Sequence, residues 1–332
     1  MTGRSEALLA RLADGSLHSG ADLAASLGVS RAAVWKLVGE LRERGVAVDS
    51  LPRRGYRLPA PVELLDTQRI AGVAAAPGRM SPADVEVLFE IGSTNTYLYE
   101  AAPPPPGRPR AAFAEIQSSG RGRRGRSWVA PFGSGLTFSI AWTFAETPAG
   151  LPALGLAMGV AVAETLRDLG AAEVRLKWPN DVVWHQRKLG GLLLQLRSES
   201  GGQASVVTGL GLNLSLQVEA RARLAGEAAL PVADLAEAMA GQVVGRNVLA
   251  GKLAAAMLAA LEEFGRRGFA EFASRWAALD ALAGARVRIE QGAEVVEGDA
   301  CGTDAEGALL VEVAGQIRRF RSGDVSLRPA TQ

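Results

Sequence analysis

Residues 59–61, Pro-Ala-Pro, separate two hydrophobic periods, and this break constrains the fold more than any other feature of the chain. Proline has no backbone N–H and pushes its predecessor out of the helical region, so neither a helix nor a strand ladder runs through. Before the break, apolar residues recur at helical spacing; after it, short strands alternate with helices. Beyond Leu282-Ala283-Gly284 the pattern is that of strands alone. A chain of 332 residues exceeds what one core usually organises, so several domains are expected. The reading is α+β, with domains at residues 1–60, 66–282 and 283–332.

In the first segment, Ser5–Leu12 reads as a helix with Leu8, Leu9 and Leu12 on one face. Ser19, followed three residues later by Asp22, is a start signal for a helix over Ala21–Leu27, and Gly28 suits a left-handed stop. Ser30 then caps a helix to about Arg44, striped by Val34, Leu37, Val38 and Leu41. This is helix, tight turn, helix, with Arg31, Trp35 and Lys36 on the outer face. Val46–Val48 and Tyr56–Leu58 flank Pro52-Arg53-Arg54-Gly55 and read as a two-stranded wing, whose tip residues Arg53 and Arg54 suit phosphate. The same geometry serves a helical dimerisation module. Turn spacing, cap and basic wing together favour DNA. Residues 1–60 hold nine Lys and Arg against six Asp and Glu, a local +3 within a total of +1.

Composition narrows the chemistry. One cysteine, Cys301, excludes an intrachain disulfide and Cys-based zinc, and reads as an ordinary buried thiol. The two histidines, His18 and His185, lie far apart in sequence. No metal-ligating set is therefore assigned, and the chemistry must rest on Lys, Arg, Asp, Asn and backbone N–H groups. The longest apolar run, Leu151–Ala163, is too short to span a bilayer and reads as a buried helix. Arg4, Glu6 and Arg11 interrupt any secretory start, so a cytoplasmic protein without membrane contact is expected. Pro103–Pro109 reads as an exposed loop.

Three motifs carry chemistry. Gly120-Arg121-Gly122-Arg123-Arg124-Gly125-Arg126-Ser127-Trp128 lets backbone N–H groups approach an anion while guanidinium groups neutralise it. Such composition also occurs in flexible nucleic-acid tracts, but here it sits once between the expected strands Phe113–Gln117 and Leu136–Trp142, where a covering loop belongs. The run Lys177-Trp178-Pro179-Asn180-Asp181, a turn at His185–Arg187 and Lys188-Leu189-Gly190-Gly191 form the second motif. Lys177, Asp181 and Lys188 would serve equally as a structural ion-pair group, whereas paired glycines after a lysine suggest a ligand close to the backbone. Gly209-Leu210-Gly211-Leu212-Asn213 is the third motif. Ser93, Thr94 and Asn95 read as a helix start.

Taken in order, these strings resemble those of the biotin protein ligases, and with the N-terminal segment the chain resembles the bacterial bifunctional ligase and biotin operon repressor along nearly its whole length. The resemblance implies a winged helix-turn-helix, a central mixed-sheet domain like the class II synthetases, and an SH3-like C-terminal barrel. It implies that biotin and ATP, with Mg2+, give biotinyl-5′-adenylate, and that biotin then passes to a lysine of a biotin carboxyl carrier domain of acetyl-CoA carboxylase. Lys188 would contact the biotin carboxylate and the acyl–phosphate linkage. Arg121, Gly122, Arg123 and Arg126 would belong to the loop that folds over biotin and the adenylate, with Arg123 acting on the reacting groups. Ser93, Thr94, Asn95 and Gln117 would surround the biotin head, Trp128 would wall it, and Gly191 and Leu192 would lie against it. Arg126, Asn180, Asp181, Asn213 and Arg328 would face the nucleotide, Asp181 also orienting the incoming lysine. Arg31, Trp35, Lys36, Arg53 and Arg54 would meet operator DNA in an adenylate-bound homodimer. Residues 221–232 hold no aromatic side chain where the resembled ligases stack a tryptophan on adenine. A ligand-sensing repressor without catalysis and a lipoyl-type ligase are the competing readings.

In the C-terminal third, Val232–Met239, Val248–Phe264 and Phe269–Trp276 read as helices. Residues 287–289, 294–298, 309–313 and 317–321 alternate as strands.

Overall fold

The computed structural model describes residues 2–327 apart from 75–79, 199–201, 219, 222–230, 243, 292–293 and 322. Arg328 lies outside the described residues, and so does most of the 221–232 segment.

Helices α1 (Thr2–Leu12), α2 (Gly20–Leu27) and α3 (Arg31–Glu43) precede a hairpin of β1 (Asp49–Leu51) and β2 (Gly55–Arg57). The helix ends follow the expected local chemistry. Ser19 Oγ accepts from the Asp22 N–H at 3.1 Å, Gly28 turns left-handed at φ 63°, and Ser30 Oγ accepts from the Ala33 N–H at 3.2 Å. Leu8, Leu12, Leu23, Val34, Val38 and Leu41 close the small core. The first wing strand starts at Asp49, three residues later than the alternation suggests. Val46 and Val48 are buried in the helical core; the Val46 N–H is taken by Leu41 O and the Val48 carbonyl by Arg42, so their backbone groups are committed before the hairpin begins.

The small core continues into the next layer through Phe89 and Ile116, and Arg44 pairs with Glu90 at 2.7 Å across the junction. Then follow α4 (Thr67–Ala74), β3 (Val85–Ile91), α5 (Thr94–Glu100), β4 (Arg110–Gln117), β5 (Gly135–Phe144) and α6 (Leu154–Asp168). Next come β6 (Val174–Lys177), β7 (Asp181–Trp184), β8 (Arg187–Ser198) and β9 (Ala204–Asn213). The seven strands are ordered β3-β4-β5-β9-β8-β7-β6, with β3 and β4 parallel and the other pairs antiparallel. The mixed sheet is thus as expected. His185 and Gln186, both at positive φ, make the tight turn between β7 and β8.

Side chains alternate across this sheet. Phe113, Phe138 and Ile140 point to the large core built with α6 and the long helix α8 (Arg246–Arg267). Ala112, Ala141 and Val207 point the other way, onto Leu98 of α5. Among the described residues, the short α5 covers part of that second face, and Ser139, Gly209 and Gly211 share its parity, so the sheet keeps an open floor beside α5. Helix α7 is confined to Leu235–Ala238, shorter than the expected Val232–Met239, because Val232 bridges to Lys188 instead. Helix α9 spans Ala270–Leu279.

The last unit is an antiparallel sheet, order β13-β12-β11-β10-β14, of β10 (Arg286–Gln291), β11 (Glu294–Thr303), β12 (Leu309–Val313), β13 (Gln316–Phe320) and β14 (Asp324–Leu327). Val287, Ile289, Leu309 and Phe320 join the large core, and Trp178 Nε1 donates to Gly307 O at 3.0 Å. Cys301 is exposed, which corrects the expected buried thiol: along β11 the inward positions are Val296, Gly298 and Ala300, and Cys301 falls on the outward phase. Among the described residues no helix is long and apolar enough to cross a membrane.

Candidate functional site

A cavity of about 570 Å³ opens on the second face of the large sheet, between the floor beside α5, the 120–128 loop and the edge of the C-terminal sheet. Every biotin- and nucleotide-directed candidate from the sequence lines it, Arg328 excepted. The candidates for DNA stand apart: Arg31, Trp35 and Lys36 are exposed on α3, and Arg53 and Arg54 are exposed in the β1–β2 turn.

One end of the cavity is neutral and polar. Ser93 caps α5, so Thr94 and Asn95 fall in its first turn, both buried. Gln117 Oε1 accepts from the Thr94 N–H at 2.8 Å and its hydroxyl at 3.2 Å, and that hydroxyl lies 2.9 Å from Ser139 Oγ. Asn95 Nδ2 donates to Leu193 O at 3.3 Å, while its Oδ1 is buried with no partner among the described residues. A buried acceptor left open is costly unless a ligand supplies the donor.

The middle is apolar. Trp128 lies on Gly211 so closely that a Cβ there would overlap the indole, and Leu193, paired with Gly209, lies on the same face; Leu192 and Leu210 line the cavity from the strand backbone, their side chains belonging to the large core. The strand glycines therefore make room for an aromatic lining, a requirement no other residue meets at Gly211.

The far end is cationic. Lys188 Nζ sits 2.7 Å from Asp181 Oδ1 and 5.8 Å from the Trp128 ring centroid. A Cβ on Gly191 would fall 3.4 Å from Lys188 Cε, in the space beside that pair. Lys177, in register with Asp181, is buried, and burial pulls its ammonium below the usual lysine range against the attraction of Asp181. Arg123 donates to Asn180 Oδ1 at 3.2 Å; burial, then the adjacent Arg124, lowers its guanidinium from the ordinary value without discharging it. Asn180 Nδ2 in turn donates to Leu192 O at 2.7 Å. Asn213 lines the cavity but spends its amide on Ala233 O at 3.0 Å, holding the 231–233 segment along the Lys188 strand.

The Arg/Gly segment is a folded loop, unlike a flexible tract. Arg121 and Ser127 bridge, Gly122 N–H donates to Arg126 O at 2.7 Å, and Arg124 and Gly125 turn at positive φ. Its outer side is fastened to the C-terminal sheet: Arg124 donates to Asp324 Oδ2 at 2.9 Å, and Arg126 donates to the same oxygen.

Comparison with known proteins decides the family. The biotin/lipoate A/B protein ligase family matches residues 90–213, an HTH domain residues 4–57, and the biotin protein ligase C terminal domain residues 283–328. The bifunctional ligase/repressor BirA of Salmonella typhimurium is 40% identical over 326 residues, covering 97% of each chain, and that of Escherichia coli is 39% identical over the same span. The chain belongs to the bifunctional biotin protein ligase/repressor family. Among solved structures, the biotin protein ligase from Aquifex aeolicus in complex with biotin and ATP superposes with a TM-score of 0.62 at 27% identity, covering 74% of this chain and 99% of that one.

Three charged residues lining this ligase/repressor's cavity lie outside the sequence-based candidates: Lys177, Glu290 and Asp324. Lys177 adjoins the Asp181 motif and read equally as part of a structural ion-pair group. Asp324 and Glu290 enter from strands more than a hundred residues away, and no local signal in the sequence links them to the loop.

Proposed function

We propose that this protein activates biotin with ATP to biotinyl-5′-adenylate and passes the biotinyl group to one lysine of a biotin carboxyl carrier domain, while its N-terminal domain binds operator DNA. The observation that carries the ligase reading is the graded cavity: an open buried acceptor at one end, an apolar middle, and Lys188, Lys177 and Arg123 at the other. Biotin has that order of chemistry, with a ureido head offering N–H donors, an apolar chain and a terminal carboxylate. Asn95 Oδ1 and Gln117 suit the head, and Trp128 with the Gly191–Leu192 backbone the chain.

Two anions must meet at the cationic end, where the carboxylate oxygen bonds to the α-phosphorus and the bond to pyrophosphate breaks. Lys188 and Arg123 hold the reacting oxygens together, and because their charges are fixed in advance little reorganisation is needed. Lys177 supplies a further charge with little water around it. In the second step the carrier amine attacks the acyl carbon, AMP leaves, and the amine gives up a proton; Asp181, beside Lys188, is the carboxylate to orient that amine. Arg121, Gly122 and Arg126, as part of the covering loop, keep water from the anhydride. Asn180 holds Arg123 in place, and Asn213 holds the Lys188 strand. Mg2+ would enter as Mg-ATP, held by the phosphates; the carboxylates lining this cavity, Asp181, Asp324 and Glu290, are paired with Lys188, with Arg124 and Arg126, and with Arg288. The protein acts in the cytoplasm, where ATP and the carrier are available.

For DNA, Arg31, Trp35 and Lys36 of α3 face the groove and Arg53 and Arg54 the phosphates. Two adenylate-bound chains pair and set two wings on a palindromic operator. The ligase half is tested by pyrophosphate release from biotin and Mg-ATP. Wild-type protein should release it, and Lys188→Ala should fall by 10² or more while keeping its unfolding transition; equal rates would overturn the assignment of Lys188. The repressor half is tested by gel shift on DNA upstream of biotin-synthesis genes, with and without biotin. A shift that ignores biotin would remove the regulatory reading.

A further inference from the structure

Trp35 is 70% exposed, on a chain whose other tryptophans are all partly or fully buried. It stands on α3 opposite the buried stripe of Val34, Leu37, Val38 and Leu41. Beside the exposed Arg31 and Lys36, two of its neighbours on that face are small: Ala32 one turn before it, and Gly39 one turn after, where even a built Cβ would meet nothing within 4 Å. The indole therefore projects from a low face that can approach another surface closely. Its N–H has no acceptor among the described residues.

The surroundings state the chemistry of the occupant. Arg31, Lys36, Arg53 and Arg54 are exposed and make no ion pair among the described residues, whereas the nearby Arg42 and Arg57 are tied to Val48 O and Asp49. A Cβ built on Gly20 would lie 3.6 Å from Tyr56 Cε2 and 4.0 Å from Arg31 Nε, so the start of α3 and the hairpin meet at one place. An exposed aromatic among free cations, on a helix followed by a cationic hairpin, fits a duplex whose phosphates meet the cations and whose major groove takes the helix.

We propose that Trp35 reads a thymine in that groove, its apolar rim against the C5-methyl group and its N–H toward O4, and so fixes one base of each operator half-site. The assignment rests on the DNA-binding reading above. Thymine is the base whose major-groove edge carries an apolar group beside an acceptor. Cytosine shows a donor there and no methyl group, and the purines show acceptors without an apolar partner. An indole supplies an apolar surface and one donor, the complement of thymine's edge.

The test is a uracil scan. Full-length protein with biotin and Mg-ATP selects duplexes from a randomised pool, and each thymine of the enriched sequence is replaced by deoxyuridine, which deletes the methyl group and keeps O4. Wild-type affinity should fall about fourfold at one thymine per half-site, equivalent to ~0.8 kcal/mol for one buried methyl group. Trp35→Ala should bind thymine and uracil duplexes equally. Trp35→Phe, which keeps an apolar rim and lacks the donor, should retain the methyl effect but reject a 5-methylcytosine pair at that position less than wild type does. Thermal unfolding of both variants should superimpose on wild type, since the side chain is exposed. Equal uracil sensitivity in wild type and Trp35→Ala would overturn this assignment and leave the DNA-binding reading standing. A pool in which no sequence is enriched would overturn that reading, and this assignment with it.

Discussion

Replacing Asp324 by asparagine removes the single carboxylate that fastens both Arg124 and Arg126 of the 120–128 loop to the C-terminal sheet. The side chains involved are 38%, 52% and 39% exposed, so each pair is screened and is worth about 0.2–1 kcal/mol. Together they stabilise the closed loop by roughly 0.5–2 kcal/mol, and since 1.36 kcal/mol is tenfold in rate, loop opening should become about 2–30 times faster. If the loop retains biotinyl-adenylate, the dissociation rate rises by that factor. A chase of preformed adenylate complex with excess unlabelled biotin measures it directly. Salt supplies a second readout, because screening of exposed pairs should raise the wild-type rate with ionic strength and leave the Asp324→Asn rate nearly flat. An off-rate unchanged in the variant, with the wild-type salt dependence intact, would refute a latch at Asp324.

The other expectations follow from the same cavity. Gly211→Ala puts a methyl group into the Trp128 indole; overpacking of this kind costs about 1–3 kcal/mol, and the KM for biotin should rise several-fold more than the KM for ATP, which initial-rate kinetics will separate. Lys177→Met should raise stability near neutral pH while slowing adenylation. The sign follows from burial: the folded ammonium titrates below its unfolded value, so between the two values the unfolded chain binds more protons and wild-type stability climbs with pH. The advantage of the Met variant in denaturant melts should therefore shrink as pH rises toward the ordinary lysine range; a constant gap would contradict it.

What could be read from sequence was what local chemistry determines. Ser19, Gly28 and Ser30 act within three residues of themselves, and they cap and turn the helices as expected. Gly191 and Gly211 are legible because glycine in a hydrophobic strand has few other uses, and Lys188 because it stands just before the glycine pair. Local pattern misleads where tertiary demand overrides it. Val46–Val48 alternates like a strand but is absorbed by the helical core, and Val232 continues a helical pattern but is claimed by the Lys188 strand. Residue type misleads at Cys301, since burial along β11 is decided by phase and not by the thiol. Asp324 lies 198 residues from Arg126, and such a pairing becomes visible only when the C-terminal sheet is folded against the loop.

If one cavity performs both activation and transfer, the adenylate it makes must be the one it spends on the carrier. The most direct measurement is a single turnover: protein loaded with biotin and Mg-ATP, freed of excess nucleotide, then mixed with a carrier domain whose lysines are mapped by mass spectrometry. Biotin on one lysine, with AMP released in equal amount and none of either from Lys188→Ala, is the predicted result. AMP released without a modified lysine, or a Lys188→Ala protein that labels the carrier at the wild-type rate, would contradict it.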